Sequence, residues 1–171
     1  SFIALTVASL WRDPHAFQSA LDALGRPHPE SNLAAAEALG RIKDPRAIVP
    51  LFASAIRLYD VPRTTTGTPS NPSDRALEHS LVYALIEIGR STELLPALRH
   101  GPEVARVALI ALDQMPGGNL QPADVLPSPN SANPTLRDTA PWLRRHPPAW
   151  GGAPAHPFRA PAPRPGPAPP P

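Results

Sequence analysis

The 171-residue chain contains no cysteine, and that absence excludes several chemistries at once. Within these residues there is no disulfide, no thiolate metal site, no cysteine nucleophile and no covalently attached c-type haem. Lysine is almost missing too, because Lys43 stands alone and the basic side is otherwise arginine. Aromatic residues are only 5% of the chain and the formal net charge is only +2. A nucleic-acid binder gathers its cations on one face, whereas Arg41, Arg57, Arg75, Arg90 and Arg106 are spread among acids. No nucleic-acid partner is expected. No stretch approaches the roughly 18 to 20 apolar residues of a membrane span, so none is expected either. Acids stop at Asp138, while Arg144, Arg145, Arg159 and Arg164 come after it, which leaves the C-terminal end as the one basic stretch.

The apolar run 2–10 is similar to the core of a secretion signal, but no positive segment precedes it and the first residue is serine. The reading preferred over a signal remnant is a helix cut into at its start, with the chain expected to be a piece of a longer protein.

What the chain does have is 27 prolines and a strong helical rhythm. Residues 147–171 are dominated by Pro, Ala, Gly and Arg, cannot build a core, and are expected to be a disordered tail of polyproline II character. A second low-order stretch, 60–73 (DVPRTTTGTPSNPS), reads as a surface loop inside an otherwise helical unit, 1–146. Ile48, Leu51, Phe52, Ala55, Ile56 and Tyr59 fall at the spacing of a helix burying one face. Leu77, Leu81, Ala84, Leu85 and Ile88 repeat that stripe, and so do Val104, Val107, Ala108, Ala111, Leu112 and Met115, which Pro116 and Gly117 then terminate. No stretch alternates with period two for the length of a strand. The fold class expected is all-α.

The helical segments also repeat. Asp13-Pro14 and Asp44-Pro45 each set a capping carboxylate before a proline at a first helical position, where the missing N–H costs nothing. Ala38, Leu39, Ile42, Ile48, Val49 and Pro50 match Ala84, Leu85, Ile88, Leu94, Leu95 and Pro96 at a constant offset, with the 60–73 loop as an insertion. Ala111-Leu112 opens a further unit, and 133–145 reads as the first helix of a last one. Asp13 and Asp44 lie 31 residues apart, and helix pairs at a period near that stack into an α-solenoid, because one pair cannot cover both of its apolar faces alone.

The segment 33–53 (LAAAEALGRIKDPRAIVPLFA) resembles the HEAT-like repeat of the phycobilisome-lyase type. That repeat has an alanine-rich first helix, a leucine-glycine turn, an aspartate-proline start and a second helix with an early proline. The segments 76–88 (ALEHSLVYALIEI), 107–120 (VALIALDQMPGGNL) and 136–150 (LRDTAPWLRRHPPAW) are similar to the HEAT-repeat portion of large exported bacterial proteins. In those proteins a propeller-type dehydrogenase module precedes the repeats and a c-type haem module comes after them. The resemblance implies a short solenoid of about four HEAT-like helix pairs and, as one alternative, a connecting module of an exported redox protein. It also carries the only suggestion of an exported or periplasmic location.

Chemistry-bearing motifs are sparse. The six histidines form no i, i+4 pair with a third ligand nearby. Glu78-His79 is a single dyad in reversed order, whereas an iron hydroxylase built on HEAT repeats draws His-Glu dyads from several repeats. Phosphate loops and serine nucleophile elbows are absent. No catalytic residue, metal site or cofactor is therefore expected, and a HEAT-repeat enzyme of the lyase or hydroxylase type is the disfavoured alternative. In the tail, Pro154, Pro157 and Arg159 fit a P-x-x-P-x-R ligand, a pattern that proline-saturated sequence also produces by chance.

The function expected is a non-catalytic protein-interaction or spacer scaffold, partnered by another protein or by adjacent domains of the same polypeptide. Second helices line the concave side of a solenoid. The candidate contact residues are accordingly their polar positions: Arg46, Ser54, Arg57, Glu93 and Arg99.

Overall fold

The structure, a computed structural model, describes residues 14–59 and 71–125 together with Arg137. Every regular element among them is helical. The tail 147–171, all but Arg137 of the helix expected over 133–145, the apolar run 2–10, the P-x-x-P-x-R motif and most of the 60–73 loop lie outside the described residues.

A short 3-10 turn, Pro14–Ala16, leads into α1 (Phe17–Leu24), whose inward face is Ala20, Ala23 and Leu24. The next helix, α2 (Pro29–Ile42), starts with proline at its first position and Glu30 in its first turn, where a carboxylate meets the positive end of the helix dipole. It ends at Lys43, which turns left-handed at φ 61. Asp44 then accepts a hydrogen bond from the Arg46 amide and caps the 3-10 turn Pro45–Ala47, which runs on into α3 (Ile48–Tyr59).

The next long helix starts from a different cap. Asn71 accepts from the Asp74 amide at 2.7 Å and its own amide donates back to the Asp74 carboxylate at 2.7 Å. With Pro72 at the first position, that reciprocal cap starts α4 (Pro72–Ile88). Residues 72 and 73 thus belong to the helix rather than to the loop the composition implied. Gly89 closes α4 left-handed at φ 70. Beyond Gly89 the chain forms not one long helix but α5 (Ser91–Leu94) and a 3-10 turn, Pro96–Arg99. The physical reason is local: Arg90 supplies no side-chain cap, and Gly101-Pro102 opens the next helix two residues after the turn. The last long helix is α6 (Pro102–Gln114), and α7 (Pro122–Val125) is a single turn.

Packing is dominated by α2 against α4, with α1 packed on α2 and α6 on α4. Small residues dominate the inside of α2, where Ala34, Ala35, Ala36 and Ala38 are all buried, and Ala84 is buried on α4. Where the two helices meet, a methyl group on Gly40 would sit 2.7 Å from the Ala84 Cα. Gly40 is therefore inside α2 as a contact surface, and the turn expected there falls at Lys43 instead.

The repeat offset reads through to geometry in part: of the six aligned pairs, three are buried at both positions, whereas Val49 is exposed opposite a half-buried Leu95. Lys43 and Gly89, 46 positions apart, are both left-handed helix ends. Ala38 and Ala84, Leu39 and Leu85, and Ile48 and Leu94 are buried at both positions of each pair.

α3 packs on both α4 and α6, and its inward stripe is Ile48, Leu51, Phe52, Ala55 and Leu58. Ile56, assigned to that stripe by spacing, instead points outward and is 48% exposed. In α6 the stripe widens to every residue from Val104 to Leu112. A stretch covered all round has no solvent face to leave polar, and the one charged residue between Val104 and Leu112, Arg106, must find its partners inside. Among the described residues no helix is long and apolar enough to cross a membrane.

Candidate functional site

Two groupings of polar side chains stand out. The first is internal. Arg106, only 3% exposed on α6, donates from Nε to Glu78 Oε1 at 2.6 Å and to the Tyr59 hydroxyl at 2.9 Å. The Tyr59 hydroxyl in turn donates to Glu78 Oε1, closing a triangle between the end of α3, the middle of α4 and the first turns of α6. Burial drives the Tyr59 hydroxyl far above the ordinary phenol range; the Arg106 charge pulls it down and the Glu78 charge pushes it further up. Burial works against the Arg106 charge, but the hydrogen bond and charge of Glu78 outweigh it and hold the guanidinium more firmly protonated. Neither group can exchange a proton near neutral pH, so the arrangement acts as a clamp joining three helices.

The Glu78-His79 dyad is thereby resolved into two unrelated residues. Glu78 belongs to the clamp, and His79 is exposed on α4. Among the described residues no group of three or more His, Asp or Glu side chains could hold a metal ion.

The second grouping is the outer side of the second-helix segments, where the candidate contact residues lie. Arg46 is exposed, yet it is held in place. Its Nη2 lies 2.5 Å from Asp44 Oδ2, its Nε is 3.0 Å from both carboxylate oxygens, and its guanidinium sits 4.7 Å from the Phe17 ring centroid. Chiefly through that side-chain hydrogen bond, the Asp44 carboxyl is held below its usual range. Arg57, exposed near the far end of α3, donates to the Leu24 carbonyl at 3.1 Å and so ties α3 to α1. Glu93 and Arg99 are exposed on the shorter second segment of the next unit. Ser54 is different: at 3% exposure it faces the core and drops out of any contact surface. The reason is its position, one residue before Ala55 on the inward side of α3.

Beside Arg46 and Arg57 lie two apolar side chains that the spacing argument missed as surface residues. Val49 is 74% exposed and Ile56 48% exposed. They are seven residues apart and hence on one side of the helix. The signal was present in the sequence, because Val49 falls outside the inward stripe and Ile56 sits one heptad after it. The clamp was harder to see, since its members are separated by 19 and 28 positions. Its one sequence trace is an arginine set between apolar residues in VARVALIAL.

The chain matches no family model, no curated protein and no solved structure.

Proposed function

We propose that the chain is a short α-solenoid of HEAT-like helix pairs with a proline-rich tail, working as a non-catalytic interaction or spacer scaffold. Its contacts with a partner protein, or with adjacent domains of its own polypeptide, run through the second-helix side at Arg46, Arg57, Glu93 and Arg99. The observation that carries this reading is the recurrence, 46 positions apart, of a left-handed helix end and of three buried positions around it. Repeated units that bury one another's faces form extended surfaces, and such surfaces serve recognition. The internal clamp supports the reading in a second way, because its charged groups are spent on holding helices together.

Site-specific photocrosslinking in the source cell tests it. A photoreactive residue replacing Arg46 or Arg99 is expected to capture a defined protein, or a defined neighbouring segment, that the same residue at His79 or Arg75 on α4 does not. Capture of the same species from all four positions, or from the α4 positions alone, would overturn the assignment of the contact side.

A further inference from the structure

We propose that α1 and α3 are joined by a two-point arginine latch, and that undoing it opens the second-helix side of the molecule about the α2–α4 contact. The packing divides the helices into two bodies. α1 packs chiefly on α2 and only lightly on α3, whereas α3 packs on α4 and α6 and is tied to both by the Tyr59–Glu78–Arg106 clamp. The bodies therefore meet along two lines, α2 on α4 and α1 beside α3.

The two lines are built differently. At α2–α4 both Gly40 and Ala84 are buried, and a methyl group on Gly40 would sit 2.7 Å from the Ala84 Cα. Backbones held this close in a packed interior can turn on one another but cannot slide far without collision. At α1–α3 the apolar cover is thinner, since Phe17 and Leu21 on α1 are only half-buried. What spans that line is one arginine toward each end of α3. Arg46 holds its guanidinium 4.7 Å from the ring centroid of Phe17, the first residue of α1, and the grip of both Asp44 oxygens keeps it there. Arg57 donates at 3.1 Å to the carbonyl of Leu24, the last residue of α1. A helix end leaves its carbonyls without helical partners, and a cation meets the negative end of the dipole there. α1 and α3 thus run side by side in the same direction with a contact at each end.

Both arginines are exposed, so each contact is modest. Two modest contacts facing a joint that one methyl group would jam make a hinge with a latch. Arg46 and Arg57 are already engaged within the chain, so a partner that takes either one does so at the expense of the latch. That last step rests on the scaffold reading, and the latch itself does not.

The test uses the full chain, which has no cysteine, and pairs of nitroxide-labelled cysteines whose separation is read by electron spin resonance. Ser19→Cys with Val49→Cys spans α1 and α3 at exposed positions between the latch points, and Glu30→Cys with Ala76→Cys spans α2 and α4 at exposed positions. Arg46→Ala with Arg57→Ala is expected to lengthen the α1–α3 distance by more than about 2 Å, the spread of packed helix spacings, and to leave the α2–α4 distance within that spread. If the double variant loses helix by circular dichroism, Arg57→Ala alone replaces it with the same expectation, because that contact ends on a backbone carbonyl. An unchanged α1–α3 distance would overturn the latch, and equal lengthening of both distances would overturn the hinge. Failure of crosslinking at Arg46 would end the scaffold reading and leave the latch standing, whereas an unmoved α1–α3 distance would end the latch alone.

Discussion

Removing the guanidinium from the α3–α4–α6 clamp is expected to cost more than any surface change in this chain. Arg106→Met keeps most of the apolar stem volume but takes away the Nε donor that reaches both Glu78 at 2.6 Å and Tyr59 at 2.9 Å. Breaking a fully buried ion pair by deleting one partner costs about 3 to 5 kcal/mol. The Glu78 side chain keeps 13% of its surface in solvent, so the stranded carboxylate is partly hydrated and the lower end, about 3 kcal/mol, applies. Tyr59→Phe removes one donor and one acceptor of the same triangle and is expected to cost about 1 to 2 kcal/mol. Because both changes act on one network, the double variant should lose less than the sum, by about 1 to 2 kcal/mol of coupling. Urea unfolding of the four proteins, monitored by far-UV circular dichroism, gives all terms. Additivity within about 0.5 kcal/mol, or an Arg106→Met loss below about 1 kcal/mol, would refute the clamp as a unit.

Three further outcomes rest on particular atoms. Gly40→Ala gains up to about 1 kcal/mol of helix propensity but forces the α2–α4 backbones apart, for a net loss of about 1 to 2 kcal/mol by urea midpoint; Ala84→Gly is expected not to rescue it, because the nearest atom is the Ala84 Cα. Lys43→Gly should stabilise by about 0.5 to 1 kcal/mol and Gly89→Ala destabilise by about 1 kcal/mol or more, since both helix ends are left-handed and only glycine adopts that backbone freely; equal melting temperatures for all three proteins would contradict it. Alkaline stability tests Tyr59. Its folded-state value is raised, so its contribution is fully present below the ordinary phenol value of about 10 and is lost as pH climbs above it, by up to about 1.4 kcal/mol per pH unit. Unfolding measured from pH 9 to 11 should show that slope, and Tyr59→Phe should flatten it.

The all-α class was legible because three helices carry their burial as spaced stripes, and Leu77, Leu81, Ala84, Leu85 and Ile88 are inside as their spacing requires. Spacing misplaced Ile56 because a stripe drawn at i+8 drifts toward the helix edge, and packing of α3 against both α4 and α6 settled the edge the other way. Ser54 looked like a contact residue because it is polar, yet a hydroxyl next to the Ala55 stripe can be buried. Glycine was equally ambiguous: Gly40 and Gly89 read alike in sequence, and the first serves close approach while the second serves chirality. The clamp was illegible for a different reason. Each member has a bland local explanation, and only the fold brings Tyr59, Glu78 and Arg106 within hydrogen-bond reach.

The central claim is that the two units 46 positions apart are successive layers of a stack. Because the chain has no cysteine, Lys43→Cys carries a single nitroxide label at the end of α2, and paramagnetic broadening of amide signals then reads distance. Adjacent packed helices lie about 8 to 10 Å apart, so the matching end of α4 at Gly89 is one step away and the end of α6 at Met115 two. With an inverse sixth-power dependence, the stack predicts a relaxation rate at Met115 about sixty-fold smaller than at Gly89. Comparable broadening at both ends would mean that α6 folds back to share the α2 contact, and a closed bundle would replace the stack.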